Sequence, residues 1–458
     1  MTDSLPKGPL VSWYGDDFTG AAAVMEVLTF GGVPSVLFLD IPTPQRLAAF
    51  AGYRGIGIAG VARSKDPAWM ERHLPPAFEA LAGLGAPIAQ YKICSTLDSA
   101  PQVGSIGKAV DLAVPLLGGA WHPFVVAAPA IGRWQCFGNL FAAFDGAVHR
   151  LDRHPTMSRH PVTPMHEADI GRHLAQQTDK SLGLVDLTAL HSGRGEAALE
   201  REIAAGAEIV AFDGVDEADL AEVGGLIWRN RGQRLFAIGS QGLEYALLAY
   251  WRRAGLIAPS PPVPSAGAVR RVAVVSGSCA PQTAAQIAHA LDRGFRPVPV
   301  DACRAVDATA WAAEIGRAVE AALAAVGEGR DPLLFTVRGP DDPAVAALNQ
   351  ALDSSGADPA AVNERIGTGL GTALKQVLQG ARLKRGIIAG GDTSGYGAGV
   401  LGIHALTALA PTVPGAALFR AHGDDPALAG LEIALKGGQM GSPDYFSRIK
   451  DGGGVGTR

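Results

Sequence analysis

Asp16 and Asp17 stand side by side in the loop Gly15-Asp16-Asp17-Phe18-Thr19-Gly20, after an apolar run at 10–14 and before a helical pattern reaching residue 28. In an open parallel sheet, ligands collect where strands run out into helix N-termini. A carboxylate there can take the proton of a substrate hydroxyl, as the base does when a nucleophile is positioned for phosphoryl transfer. Asp17 is the candidate for that catalytic role, and Asp16 for substrate binding. The same residues also suit plain structure, with Asp17 or Thr19 capping the helix and Asp16 solvated.

Further loops carry polar groups of the right kind for a small polyhydroxy anion. Tyr91-Lys92-Ile93-Cys94-Ser95-Thr96-Leu97-Asp98-Ser99 follows an apolar strand and gathers a cation, hydroxyls and a carboxylate. Lys92, Ser95 and Asp98 are its candidate substrate contacts. Arg63, just past the apolar run 55–61, is a candidate carboxylate clamp, and Arg159 and His160 stand in a Pro-stiffened stretch at 154–165 that could face an acidic ligand. Each also has a structural reading: a solvated Lys92, a turn of Ser and Thr, an Arg paired with a nearby carboxylate.

The second half supplies glycine-rich turns. Ser276-Gly277-Ser278-Cys279 follows a strand at 272–275 and precedes a helix, where N–H groups and hydroxyls can hold phosphate. Gly390-Gly391-Asp392-Thr393 repeats the arrangement after 386–389, with a carboxylate that could meet Mg²⁺ or a ribose, and Gly438 belongs to a third such turn at 435–441. The sequence leaves the protein ligands of any metal unknown. Gly397, Gly399 and Gly402 match GxGxxG but lie well beyond the end of their strand, whereas a dinucleotide fingerprint sits on the strand-to-helix turn itself. They read as close helix packing.

The elements that must position these loops are strands alternating with helices. Runs at 10–14, 33–39, 55–61, 88–93, 124–128, 182–187, 209–212 and 235–238 are separated mostly by helical patterns, and the alternation restarts at 271–276, 332–337 and 385–389. The fold class expected is α/β, with two doubly wound, mainly parallel-sheet domains and an interdomain cleft as the default place for a site. The domains are expected at 1–257 and 268–458, joined by a Pro-rich linker at 258–267.

Bulk properties agree with a soluble two-domain chain. The 458 residues are 48% hydrophobic and 18% charged, with 39 basic against 44 acidic residues, a net charge of −5. Nothing there favours nucleic acid or a membrane as partner. No secretory signal, membrane-length apolar run or metal-spaced cysteine pair is present, so Cys94, Cys136, Cys279 and Cys303 read as reduced cytoplasmic thiols. A homo-oligomer is left open.

Taken in order, Asp16 to Ala21 (Asp-Asp-Phe-Thr-Gly-Ala), Lys92-x-Cys-Ser-Thr-x-Asp-Ser, Gly-Ser-Ile-Gly at 104–107 and Gly-Gly-Asp-Thr-Ser-Gly at 390–395 resemble the four-carbon acid sugar kinase family along the whole chain. The resemblance implies a sugar acid held by the N-terminal domain near Asp17, Arg63, Lys92, Ser95 and Asp98. It implies ATP, with Mg²⁺, held by the C-terminal domain near Ser276, Gly390 to Thr393 and Gly438. One departure stands out: where the family commonly reads Leu-Lys-Ser-Gly-Asn-Phe-Gly, this chain has Leu435-Lys-Gly-Gly-Gln-Met-Gly441. The resemblance points to transfer from ATP to a hydroxyl of an acid such as D-threonate. The alternatives are a 3-oxo-tetronate or a branched 3-oxo acid such as 3-oxo-isoapionate, and, from another class, an NAD-dependent oxidoreductase.

Overall fold

The apolar runs of the first half fold as parallel strands buried on both faces, which is why they read as continuous stretches and not as alternating ones. The structure, a computed structural model, describes residues 4–259, 262 and 265–454. The chain divides into two units, Met1–Pro261 and Pro262–Arg458. Of the linker expected at 258–267, Ser260, Pro261, Val263 and Pro264 lie outside the described residues.

In the first unit, β1 (Val11–Gly15), β2 (Ser35–Phe38), β3 (Gly55–Ala59), β4 (Ile88–Lys92) and β5 (His122–Val125) enter one sheet. Three strands then leave it, β6 (Arg133–Cys136), β7 (Asn139–Phe144) and β8 (Ala147–Arg150), which pair antiparallel with one another. The chain returns through β9 (Leu182–Val185), β10 (Ile209–Phe212) and β11 (Leu235–Gly239). The main sheet runs β2-β3-β1-β4-β11-β5-β10-β9, with every neighbouring pair parallel.

Alternation along each strand feeds two cores. Tyr14, Ile58, Tyr91 and Ile238 meet Met70, Leu74, Phe78 and Val110 of the helices Pro67–Gly83 and Ile106–Leu117. Tyr14 stacks on Tyr91 with ring centroids 6.1 Å apart, and Phe78 presents its edge to both. Trp13 points the other way, its indole N–H donating to the carbonyl of Ala21 in the helix Phe18–Phe30 at 3.1 Å. Each such fully buried ring or aliphatic side chain contributes roughly 1.5–3 kcal/mol, which fixes strand register against slippage.

The second unit is built from β12 (Ala273–Ser276), β13 (Arg296–Pro299), β14 (Pro332–Phe335), β15 (Arg385–Ala389), β16 (Ile403–Ala410), β17 (Leu418–Gly423) and β18 (Glu432–Lys436). Their order is β13-β14-β12-β15-β18-β17-β16. The first five are parallel, and β17 pairs antiparallel with both β18 and β16. Ile387 and Ala389 join the core with Ile287, Tyr445 and Phe446, whereas Gly386 and Ile388 face Leu374 and Gly397 on the other side, so helices cover both faces. Gly397 and Gly399 lie inside the helix Gly391–Val400, and a Cβ on Gly371 of the helix Pro359–Gly380 would fall 2.7 Å from the Gly397 Cα. The GxGxxG spacing therefore serves helix contact. Among the described residues no helix is long and apolar enough to cross a membrane.

At the amino ends of β15 and β18, Arg385 and Glu432 form a buried ion pair, with Arg385 Nε donating to Glu432 Oε2 at 2.8 Å and Nη1 to the carbonyls of Ile449 and Lys450. Those last two bonds tie the final helix Tyr445–Lys450 under the sheet.

One carboxyl of the first unit is sealed without such help. Glu244, in the first turn of the helix Gly242–Arg253, is fully buried and neither of its oxygens accepts a hydrogen bond among the described residues. The Gln90 amide beside it donates instead to the carbonyls of Gly239 and Ser240 at 3.2 and 3.0 Å. Burial pushes Glu244 up to about 8, with the Lys92 charge opposing. Between its ordinary value and that one, the folded chain holds a proton that the unfolded chain releases, so stability falls as pH rises across this window. Thermal melting from pH 5 to 9 should show a loss on the order of 3–5 kcal/mol in the wild type. Glu244→Gln should abolish that slope; an unchanged slope would show that Glu244 ionises normally.

Candidate functional site

Sheet register brings the first cluster together. Gly15, the last residue of β1, pairs with Lys92 at the end of β4 and with Ala59 at the end of β3, so the loops after these strands leave from one edge. Two backbone bonds strap them: Asp16 N–H donates to the Lys92 carbonyl and Arg63 N–H to the Asp16 carbonyl, each at 2.9 Å.

The side chains then lock. Arg63 donates from Nε to Asp16 Oδ2 at 3.1 Å and from Nη2 to Asp16 Oδ1 at 2.6 Å and Asp17 Oδ1 at 2.7 Å. Asp17 is also the N-cap of the helix Phe18–Phe30, its Oδ1 accepting from Gly20 N–H at 2.8 Å, so the structural reading of this residue is realised. Its Oδ2 takes no hydrogen bond among the described residues. Asp16 is buried rather than solvated; burial pushes its carboxyl up, opposed by Arg63. The two carboxylates in turn hold the Arg63 guanidinium well above its ordinary value against the effect of burial.

Lys92 is buried, its Nζ donating to the Ile93 carbonyl at 2.6 Å. A Cβ at Gly20 would lie 2.6 Å from Asp17 Oδ1 and 2.8 Å from Lys92 Nζ, so the missing side chain keeps a gap open between acid and ammonium. After Lys92 the chain turns through Leu97 with φ 55°, a left-handed conformation costly for this residue type. Thr96 Oγ1 donates to Asp98 Oδ1 at 2.8 Å, and Ser95 and Asp98 are half-buried in this loop. Ser99 anchors it from behind, its hydroxyl bonded to His173 Nε2 at 2.9 Å and accepting from Gln177 Nε2 at 3.0 Å.

Arg159 and His160 do not join this cluster by any hydrogen bond or ion pair among the described residues. Arg159 is exposed on the short turn Met157–Arg159, and His160 Nδ1 is taken by the Thr163 backbone N–H and hydroxyl at 3.1 and 3.0 Å. A residue that sequence reasoning passed over stands closer to the loop. Arg133, at the start of β6, lies within electrostatic reach of Cys94 and Asp98.

In the second unit, β12, β15 and β18 are neighbours in the sheet, and their carboxyl ends deliver Ser276-Gly277-Ser278, Gly390 to Thr393 and Gly437-Gly438 to one place. Ser276 is buried, whereas Gly391 and Asp392 are exposed at the start of the helix Gly391–Val400, which no side chain caps. A Cβ on Gly277 would meet Thr393 Oγ1 at 2.5 Å, and one on Gly438 would meet Ser278 Oγ at 2.5 Å, so only glycine lets the three turns approach. Lys436 clamps them from below, donating to Thr283 Oγ1 at 3.0 Å and to the Gly437 carbonyl at 2.9 Å, and burial pulls its ammonium down to about 8. Uncapped N–H groups, hydroxyls and a cation around a backbone cradle suit a polyphosphate. No group of three or more His, Cys, Asp or Glu side chains able to hold a metal occurs among the described residues.

The chain matches the family of sugar-binding N-terminal domains over residues 11–247 and that of nucleotide-binding C-terminal domains over residues 273–446. It is 46% identical over 447 residues to a 3-oxo-isoapionate kinase of Paraburkholderia graminis, covering 98% of this chain and 95% of the relative. A 3-oxo-tetronate kinase of Pseudomonas fluorescens is 29% identical over 466 residues, covering 98% of each chain. A crystal structure from Salmonella typhimurium LT2 superposes with a TM-score of 0.77 at 24% identity, covering 96% of this chain and 98% of the other, and a Haemophilus influenzae protein with 0.72 at 23%, covering 95% and 98%. These two likenesses concern the fold.

Removing Arg63 should leave Asp16 buried beside Asp17 with only the Lys92 ammonium to offset its charge. Arg63→Met is expected to cost about 3–5 kcal/mol in urea denaturation, and adding Asp16→Asn should restore part of it. Strict additivity of the two changes would show that the pair is not coupled.

Proposed function

The chain belongs to the four-carbon acid sugar kinase family, an ATP-dependent sugar-acid kinase, and from that premise we propose that its acceptor is a branched 3-oxo acid of the 3-oxo-isoapionate type. The observation that carries the choice is the 46% identity, end to end, to a kinase named for that acid, against 29% to one named for 3-oxo-tetronate. Support for threonate, the acid expected first from the sequence, is weaker because these relatives act on 3-oxo acids. An NAD-dependent oxidoreductase finds no support, since the GxGxxG glycines at 397–402 do not form the strand-to-helix turn.

In this reading Asp17 is the catalytic base. Arg63 fixes its Oδ1, and Oδ2 stays available for the acceptor hydroxyl proton. Arg63 and Asp16 orient Asp17, and Lys92 lies across the gap above Gly20, where its ammonium stabilises negative charge developing on the transferred phosphoryl group. Ser95 and Asp98 contact the hydroxyls of the acid. Ser276, Gly277, Ser278, Gly390, Gly391, Asp392, Thr393 and Gly438 hold the phosphates of ATP. Mg²⁺ fits this cradle as a companion of the nucleotide, because it is typically held by one or two carboxylates plus phosphates. Asp392, exposed at the uncapped helix start, would hold it, and the ion would neutralise phosphate charge.

An ADP-release assay over 3-oxo-isoapionate, 3-oxo-tetronate, threonate and erythronate should give the highest kcat/KM with the first; a preference for threonate would reverse the assignment. Asp17→Asn should lower kcat by about 10²–10⁴-fold while ADP still binds. Near-normal turnover in that variant would remove Asp17 from the mechanism.

Lys436, whose ammonium burial pulls down to about 8, is expected to make nucleotide binding depend on pH. Its ammonium is present below about 8 and lost above it, so ADP affinity measured by calorimetry should weaken as pH rises from 7 to 9. Lys436→Met should bind weakly and without that pH dependence. A pH-independent wild type would mean that the ammonium does not hold the turns.

A further inference from the structure

The Gly-Ser-Ile-Gly turn at 104–107 carries no base and no charge, yet both of its glycines are set by close contacts. Gly104 has φ 60°, its N–H donates to the Lys65 carbonyl at 2.8 Å, and a Cβ there would fall 2.5 Å from the Arg63 carbonyl oxygen. Gly107, in the first turn of the helix Ile106–Leu117, presses on residue 177 instead, where a Cβ would lie 2.3 Å from the Gln177 carbonyl oxygen. A side chain at either position would push the turn off its neighbour. The turn is thus seated on the backbone of Arg63 at one end and on that of Gln177 at the other.

Gln177 continues the connection through its side chain. Its Oε1 accepts from the Ile106 and Gly107 N–H groups at 2.7 and 3.4 Å, donors that a helix start leaves without partners of its own. Its Nε2 donates to Ser99 Oγ at 3.0 Å. That hydroxyl in turn donates to the Leu97 carbonyl at 2.9 Å and lies 2.9 Å from the Nε2 of His173, which is buried. A hydroxyl has one hydrogen and two lone pairs, so these three partners use Ser99 fully. Leu97 is the left-handed residue of the 95–98 loop, and a φ of 55° persists there only because its surroundings hold it. An amide suits position 177 because it accepts at one end and donates at the other. One path of hydrogen bonds therefore runs from Leu97 through Ser99 and Gln177 to the helix start, and the Gly104 contact carries it on to Arg63.

We propose that Gln177 is a positioning residue for the acid substrate: its amide ties the 95–98 loop, which carries Ser95 and Asp98, to the same turn that abuts Arg63. The groups that contact the acid's hydroxyls thereby keep a fixed distance from the pair of Asp17 and Arg63. This rests on the kinase reading above and deepens it, because the glycine spacing at 104–107 then serves acid recognition by seating two loops against one turn.

The test uses the full-length protein with Gln177→Met, Gln177→Glu and Ser99→Ala, and measures ADP release, acid affinity by calorimetry and melting temperature. Gln177→Met loses both halves of the amide and should raise KM for the 3-oxo acid about tenfold, while KM for ATP changes less than about threefold. Gln177→Glu keeps an acceptor for the helix start, but its ionised carboxylate has no hydrogen to give Ser99. It should melt close to the wild type and still raise the acid KM as Ser99→Ala does, whereas a purely structural residue would leave KM at its wild-type value once melting is restored. In the Ser99→Ala background, Gln177→Glu should add less than about twofold because the bond is already gone; repulsion between a new carboxylate and the acid would add in full. A wild-type acid KM in Gln177→Glu overturns the proposal, as does full additivity of the two changes, and neither result depends on Gln177→Met folding. If the wild type releases no ADP with any acid yet binds the 3-oxo acid, the acceptor assignment fails alone. An equal loss of acid affinity in Gln177→Glu and Ser99→Ala would then uphold the tie, and undiminished affinity in both would overturn it.

Discussion

Two neighbouring carboxylates can share a partly buried loop here only because one guanidinium engages them both. Without Arg63, Asp16 would carry its charge into the protein beside a like charge, and one of the pair would take up a proton to escape the repulsion. With Arg63 in place, Asp16 is gripped at two points and Asp17 at one, and the Asp17 Oδ1 is further occupied by the helix terminus. The arrangement makes one acid structural and leaves one oxygen of the other unclaimed. That asymmetry depends on the backbone straps from Asp16 to Lys92 and Arg63, which exist because β1, β3 and β4 end in register.

The second unit solves a related problem with backbone instead of charge. Residues 276, 390 and 438 are far apart in the chain, yet β12, β15 and β18 lie side by side, so their turns emerge together. Glycine at 277 and 438 lets those turns close to the distance at which N–H groups and hydroxyls can face one anion. The departure at 437–440 from the sequence common in the resembling family leaves this intact, because the contacts that clamp the turn come from Lys436 and from the Gly438 carbonyl, which accepts from Thr283 Oγ1 at 2.8 Å.

What the sequence made legible follows from burial. All eight strands of the first main sheet announce themselves as largely apolar runs, because parallel strands covered on both faces favour apolar residues on both. Most of the strands that escaped notice lack that pressure; β18 does not, being buried at every residue and parallel to β15, but its charged ends Glu432 and Lys436 leave an apolar run of only three residues. β13 is Arg296-Pro-Val-Pro299 at a sheet edge, where proline is tolerated because no partner needs its missing N–H. β16 and β17 are antiparallel additions, and β6 to β8 form a separate small sheet with exposed residues such as Val148. The placement of Asp16, Asp17, Arg63, Lys92 and Asp98 at one edge could be anticipated, since each lies at or just beyond the end of a readable strand. The half-buried position of Arg133 could not, because it is delivered by β6, and nothing in Ile131-Gly-Arg-Trp134 sets it apart from a surface residue.

The direction in which Arg159 and His160 point was not legible in the same way. Prolines around them stiffen a loop and basic side chains suggest an anion, yet stiffness and charge say nothing about direction. His160 is satisfied locally by Thr163, which removes one ring nitrogen from any ligand and fixes the turn. Arg133 shows a different condition: its Nη1 is fixed by carbonyls and its Nε is sealed from solvent without a bond, so neither atom is open to a ligand. A polar group whose local needs are met is finished with folding, and one with a need unmet can serve a ligand only where the unpaired atom is also accessible. That distinction requires coordinates, because it is a property of which atoms are paired and not of which residue types occur together.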